Sequence, residues 1–303
     1  MEDTLFMGWL PDTPDFRDYT IDTPEIQQIL HTSNGNGSVK TKKPASRSKT
    51  KTTRSRARLK SAVDLRTWCP PVEDQKSIGS CTANAGVALL EYYENRAFGK
   101  HLDASRLFLY KVTRNLLHWK GDTGAYLRKT MAAMAMFGIP PEEYWPYVIN
   151  KYDDEPNAFC YSLAENYKAV SYYRLDPAEK SKDDVLKTIK ESLSNNLPCM
   201  FGFTVYSSIS QASKDGKIPY PATGEKVEGG HAVVAVGFDD NMKIKNKNSS
   251  ETTTGAILIR NSWGESWGDN GYGWLPYKYI LKGQAVDFWN LIKADYLNTG
   301  NFN

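Results

Sequence analysis

Gly229-Gly230-His231-Ala232-Val233-Val234-Ala235-Val236-Gly237 and Ala256-Ile257-Leu258-Ile259-Arg260-Asn261-Ser262-Trp263-Gly264 are the stretches on which the fold turns. Each is a short apolar run bounded by glycine, as a buried strand is. Residues 239–255 between them are polar and read as a long flexible hairpin loop. In an antiparallel hairpin the start of the first strand lies beside the exit of the second. His231 and Asn261 then become neighbours although 30 residues apart. Asn261 can accept from one ring nitrogen of His231, fix its tautomer and aim the other nitrogen at a thiol. A strand-edge histidine without such a neighbour is a core or surface residue, and His31, His101 and His118 are read that way.

Working outward, residues 200–205, 272–275 and 285–293 also read as strands. The preceding part is helical. Thr82 to Phe98 reads as a helix closed by Gly99, with Glu91 to Glu94 on its polar face. Asp103 is placed to cap a second helix ending at Leu116, and a third runs from Gly124 to Phe137. Ser181, with Asp184 three residues on, opens a fourth. Helices followed by strands predict an α+β fold with the two parts side by side.

Composition is that of a globular protein, 40% hydrophobic and 24% charged over 303 residues. No apolar run is long enough for a spanning helix, and Met1 to Met7 lacks a signal peptide's basic start, so the expected compartment is the cytoplasm. Cys69, Cys81, Cys160 and Cys199 form no CxxC pair, which argues against a zinc site and predicts free thiols. No metal or other cofactor is expected. The net charge of +3 is misleading, because residues 40–60 hold ten Lys or Arg and no acid. Without them 28 basic residues face 35 acidic ones, so the folded part is acidic and neither a nucleic-acid nor a membrane partner is expected.

Residues 1–31 carry aromatic order signals, residues 32–61 read as a disordered basic linker, and residues 62–303 form the main domain. Within that domain, Gln75-Lys76-Ser77-Ile78-Gly79-Ser80-Cys81-Thr82 brings a cysteine from a Gly/Ser loop into a helix start. Backbone N–H groups there favour a thiolate, although cysteines at helix starts are also often structural.

The run Asn261-Ser262-Trp263-Gly264-Glu265-Ser266-Trp267-Gly268-Asp269-Asn270-Gly271-Tyr272, with Gln75 six residues before Cys81, resembles the papain-like cysteine peptidases over roughly residues 62–295. The resemblance implies a two-lobed fold, a helical lobe and a β-barrel-like lobe with the active-site cleft between them. It implies an endopeptidase working through a Cys81 thioester acyl-enzyme, with His231 as base, Asn261 orienting it, and Gln75 with the Cys81 N–H as oxyanion hole. Trp263 would cover the Asn261–His231 contact and Trp267 would line the cleft. Gly124, Ala125, Gly230 and Ala232 fall where substrate backbone would bind, with peptides or proteins as substrates and a hydrophobic residue preferred near the cleaved bond.

The sequence also departs from the family. Ile78 stands where relatives carry a disulfide cysteine and Thr82 where an aromatic follows the nucleophile. Gly230 replaces an Asp or Asn, and Ala125 a second glycine. A zymogen of the family carries a longer helical pro-region than residues 1–60 provide. Instead, Gly8-Trp9-Leu10-Pro11-Asp12 and Phe16-Arg17-Asp18-Tyr19 form a compact aromatic segment. It is either an inhibitor docking in or near the cleft or a piece that completes the fold. Transpeptidation through the same acyl-enzyme, or binding without turnover, are the competing activities.

Overall fold

The computed structural model describes residues 7–33, 60–168 and 171–292. The chain order is α1 (Pro24–Ser33), β1 (Ala62–Asp64), α2 (Cys81–Phe98), α3 (Arg106–Leu116), α4 (Leu127–Met136), α5 (Ala158–Ala164), β2 (Ser171–Arg174), α6 (Lys182–Ser194), β3 (Cys199–Tyr206), β4 (Val227–Lys245), β5 (Thr252–Arg260), β6 (Tyr272–Pro276), α7 (Tyr277–Leu281) and β7 (Ala285–Ile292). Most of the linker reading falls outside the described residues. The linker's two ends are described: α1 runs to Ser33, and the Ser61 carbonyl accepts from Asp240 N–H.

The α+β expectation holds, but the barrel does not close. The antiparallel sheet is open, in the order β2-β7-β3-β4-β5-β6, with β1 paired to β4. Its edges are covered by loops rather than by each other. Tyr19 and Thr20 pair with Arg174 on β2, while Gly216 to Ile218 pair with Trp274 on β6. Covered edges no longer demand closure.

Helix α2 is buried along almost its whole length and ends at Gly99 in the left-handed region (φ 63°). Its expected polar face is corrected by Glu91, which is buried and accepts from Ala104 N–H at 2.9 Å. Burial pushes the Glu91 carboxyl up to about 8. With the Ala104 N–H bound in this way, α3 starts later than expected. Ser105, not Asp103, is its cap, accepting from Phe108 N–H at 3.1 Å. Helix α4 also starts late, because Gly124 is in the left-handed region (φ 71°) and Ala125 pairs with the N-terminal segment. Ser181 caps α6 as expected.

The long hairpin loop is corrected as well. Strands β4 and β5 stay paired out to Lys245↔Thr252, leaving a turn of 246–251. Ile244 points inward, and the Asn246 side chain ties the turn to Tyr220, Glu225 and Gln211.

Residues 7–33 are part of the folded body. Ile26 is fully buried and Trp9 nearly so, both within the main hydrophobic core. Ile26→Ala in the full chain should therefore lower unfolding stability by about 2–5 kcal/mol, as at other buried aliphatic sites, measurable by urea titration.

Candidate active site

Helix α2 packs against β4, which sets Cys81, the first residue of the helix, against the strand that carries His231. Both residues are fully buried. Backbone N–H groups of Ala232, Gly8, Thr82 and Cys81 itself favour the thiolate, as expected for a helix start. Burial outweighs them and pushes the thiol up to about 11.

The β4–β5 register pairs Val234 with Arg260, which carries Asn261 to the His231 side chain. Asn261 Oδ1 lies 2.8 Å from His231 Nε2 and also accepts from Ser262 N–H at 2.8 Å. The Ser262 bond identifies that atom as the oxygen, so the imidazole proton sits on Nε2. Nδ1 is left as the basic nitrogen and has no hydrogen-bond partner among the described residues. Burial holds the imidazole down at about 4, with the Asn261 bond opposing it. Trp263 stacks on the imidazole at 4.5 Å and 22°, and Trp267 meets Trp263 edge-on at 5.3 Å.

Gln75 is buried and tied to the Asn261 loop. Its backbone N–H donates to the Ser262 carbonyl at 2.9 Å, and its Oε1 accepts from Ser262 Oγ at 2.7 Å. Its side-chain amide donates to the Ile78 carbonyl at 3.1 Å, toward the nucleophile loop. Tyr147 Oη donates to the Gln75 carbonyl at 2.8 Å and lies 2.6 Å from Ser80 Oγ. Asp122 accepts from Gly79 N–H at 2.9 Å and from Tyr110 Oη at 2.5 Å. Tyr110 Oη in turn accepts from Gly124 N–H at 3.1 Å. This chain ties the nucleophile loop to the cleft wall.

A peptide segment fills the space between the two walls. Gly8 O accepts from Ala125 N–H at 2.8 Å, Leu10 N–H donates to Ala125 O at 3.1 Å, and Trp9 N–H donates to Gly230 O at 3.1 Å. Ala125 and Gly230 therefore bind backbone in this structure, with Gly124 packed against Gly8 and its own N–H on Tyr110, and the backbone bound is the protein's own. Ala232 lies instead against the thiol. Gly8 passes so close to the nucleophile loop that an added Cβ would sit 1.8 Å from the Gly79 carbonyl oxygen.

A buried cysteine and a histidine oriented by asparagine, at a cleft that holds an extended peptide, make up the apparatus of a thiol peptidase. The comparison with known proteins agrees. Residues 59–281 match the profile of the papain family cysteine proteases. The chain belongs to that family. It is a cysteine protease, acting on peptide bonds. It is 35% identical over 222 residues to an uncharacterized peptidase C1-like protein of Acanthamoeba polyphaga mimivirus, covering 71% of this chain and 68% of that one. Similarity to Gallus gallus cathepsin K is 28% over 251 residues, 81% of this chain and 67% of the relative. Among solved structures, xylellain, a cysteine protease from Xylella fastidiosa, superposes with TM-score 0.71 at 32% identity, covering 95% of this chain and 96% of that one.

Several residues at this site escaped the sequence reading. Asp287 lies in the apolar run Ala285-Val286-Asp287-Phe288-Trp289, where a lone acid was itself a signal. Gly202, inside the apolar strand Met200-Phe201-Gly202-Phe203, marked a close approach. Arg128 and Arg174, which pair with Asp12 and Asp18 of the same N-terminal segment, had no local signal.

With Gly8 over the sulfur, the pair is a neutral thiol and a neutral imidazole at pH 7. Iodoacetamide should therefore label Cys81 slowly in the full chain near pH 7 and faster only as pH rises toward 11. In full-length Gly8→Ala, labelling near neutral pH should be fast, read by peptide mass spectrometry.

Proposed function

We propose that the protein is a cysteine endopeptidase held inactive by residues 7–19 lying in its own substrate cleft. The observation that carries this reading is the pairing of Gly8 to Leu10 with Ala125 and Gly230, directly over Cys81. In the open enzyme, Cys81 Sγ attacks the scissile carbonyl while His231 Nδ1 takes the thiol proton. The oxyanion accepts from the Gln75 side-chain amide and the Cys81 N–H, donors worth roughly 2.7–4 kcal/mol each at such sites. The tetrahedral intermediate collapses to a thioester as His231 returns the proton to the leaving amine. Water then releases the acid. Asn261 keeps the imidazole in the required tautomer, and Trp263 shields that contact.

The segment also resists its own enzyme. Burial keeps the thiol protonated, although Gly8 turns an N–H donor to the sulfur that lowers its pKa. Two arginines hold the segment down. Arg128 pairs with Asp12 and Asp18, each at 2.8 Å, and donates to the Thr13 carbonyl. Arg174 donates to the Asp12 carbonyl at 3.2 Å, and its backbone N–H donates to Tyr19 O at 2.7 Å. Since Trp9 is in the core, the segment both completes the fold and occupies the cleft. The unpaired thiols at Cys69, Cys81, Cys160 and Cys199 fit a cytoplasmic enzyme.

The test is hydrolysis of a fluorogenic peptide amide by full-length variants. Gly8→Ala and Trp9→Ala should turn over at least about tenfold faster than the natural chain, the equivalent of ~1.4 kcal/mol of lost occupancy. Cys81→Ala should be inert. Equal rates for all chains with Cys81 would refute inhibition, and no turnover by any of them would refute the peptidase mechanism.

Because Arg128 is partly exposed, its pairs are screened by salt. Activity of the full chain should rise between about 0.05 M and about 0.5 M NaCl, and Arg128→Ala should remove that dependence.

A further inference from the structure

The side chain of Trp9 enters a pocket between the two walls, with Gly202 and Gly230 forming the part nearest the indole. A Cβ on Gly202 would lie 1.9 Å from the indole Cε2, and one on Gly230 would lie 2.5 Å from the Trp9 carbonyl oxygen. Side chains at either position would close the space. At the far end the indole Nε1–H donates to Asp287 Oδ2 at 3.2 Å.

Asp287 is there by construction. Strands β3 and β7 pair Met200 with Trp289 and Gly202 with Val286, so β7 carries an extra residue opposite Phe201. Such a bulge re-aims a side chain. Asp287 sits in it with φ 66°, an uncommon conformation for any residue with a side chain. The two amides of the bulge, Asp287 N–H and Phe288 N–H, donate to the Asp176 carboxylate at 2.7 and 2.9 Å. Asp287 Oδ1 accepts from Trp289 Nε1–H at 2.7 Å and pairs with Arg174 at 3.2 Å. Trp289 and Arg174 thus hold the buried carboxylate by Oδ1 and Asp176 holds its backbone, which leaves Oδ2 turned to whatever fills the pocket.

We infer that Asp287 makes this pocket prefer substrates presenting a tryptophan indole over side chains of similar bulk without a ring N–H. The inference rests on reading residues 7–19 as an occupant of the substrate cleft, with Trp9 marking the side chain the pocket was shaped for. A ring without a donor would strand a buried carboxylate oxygen. Arginine is the competing case: with Asp18 gone, Arg174 alone faces Asp176 and Asp287, and the experiment separates a charge-selecting pocket from one that selects a ring N–H.

The experiment uses full-length Trp9→Ala, in which the pocket is vacant. Peptide amides are compared in which tryptophan, 1-methyltryptophan, phenylalanine, leucine or arginine is scanned through the two positions before the scissile bond. Tryptophan should exceed 1-methyltryptophan in kcat/KM by roughly tenfold at one position, the factor expected for one buried bond lost. Equal rates, or arginine as the best substrate, would overturn the inference. Asp287→Asn on the same background keeps an acceptor oxygen and should retain the preference, and its loss would mean that charge, not the hydrogen bond, selects.

Binding is read separately. Free indole should raise the melting temperature of Trp9→Ala more than 1-methylindole does, even if every peptide is refused. Refusal of all peptides together with indole selectivity would sink the peptidase mechanism while leaving the pocket standing. Equal shifts would sink the pocket. Should Trp9→Ala fail to fold, Trp9→Phe keeps a ring and removes the N–H. Its full-length chain should then show higher basal turnover than the natural one, and an unchanged rate would count against the inference.

Discussion

The packing of α2 against β4 is the constraint on which the rest of the molecule depends. A helix buried on nearly every side has no freedom to slide or rotate, because each of its positions is matched to a neighbour at close-packed density. Its first residue is Cys81, so the nucleophile inherits the rigidity of the core. The facing strand carries His231 and Ala232, and its hairpin partner delivers Asn261. Three polar residues from distant parts of the sequence are thus placed by elements whose packing is apolar. The same burial keeps the sulfur and the imidazole neutral while Gly8 covers them.

That neutrality explains how a reactive pair can coexist with a peptide lying on it. A thiolate–imidazolium pair needs either water or oriented donors around it, and desolvation disfavours both charges. The segment removes water from the cleft and supplies a single N–H in its place. Attack on a carbonyl is opposed by the protonation state of the sulfur. Holding the segment there requires energy from elsewhere. That energy comes from the burial of Trp9 and Ile26 and from the two arginines that grip Asp12 and Asp18.

How much was legible in the sequence depended on whether a feature was local or relational. The strands around His231 and Asn261 announced themselves by composition, and their antiparallel pairing followed from the hairpin. The cap at Ser181 and the stop at Gly99 are local chemistry and were read correctly. Asp103 and Glu91 were misread for one shared reason. Tertiary contacts bury Glu91 against the Ala104 amide, which cannot be seen from amphipathic periodicity alone. The hairpin beyond Asp239 was taken for a loop because its residues are polar. Yet a strand needs only backbone partners and an inward residue, here Ile244, to persist. Gly8-Trp9 was visible as an ordered segment but not as the occupant of the cleft, since nothing local records where a segment docks.

The missing disulfide shows how one covalent feature can be replaced by several weaker ones. Ile78 stands where a cysteine would have tied the nucleophile loop to the cleft wall. In its place the Asp122 carboxylate accepts from Gly79 N–H and Tyr110 Oη, and Tyr110 holds Gly124 N–H. On the other side, Tyr147 bridges Ser80 and Gln75. Hydrogen bonds to a charged acceptor contribute about 1.5–3 kcal/mol each, so the two on Asp122 are together comparable to the ~2–4 kcal/mol typical of a disulfide. A carboxylate clamp is also indifferent to thiol redox conditions. The arrangement fixes the loop and the substrate edge as one unit, so the distance between Cys81 and the backbone bound at Ala125 is set by the same residues whether that backbone belongs to the protein's own segment or to a substrate.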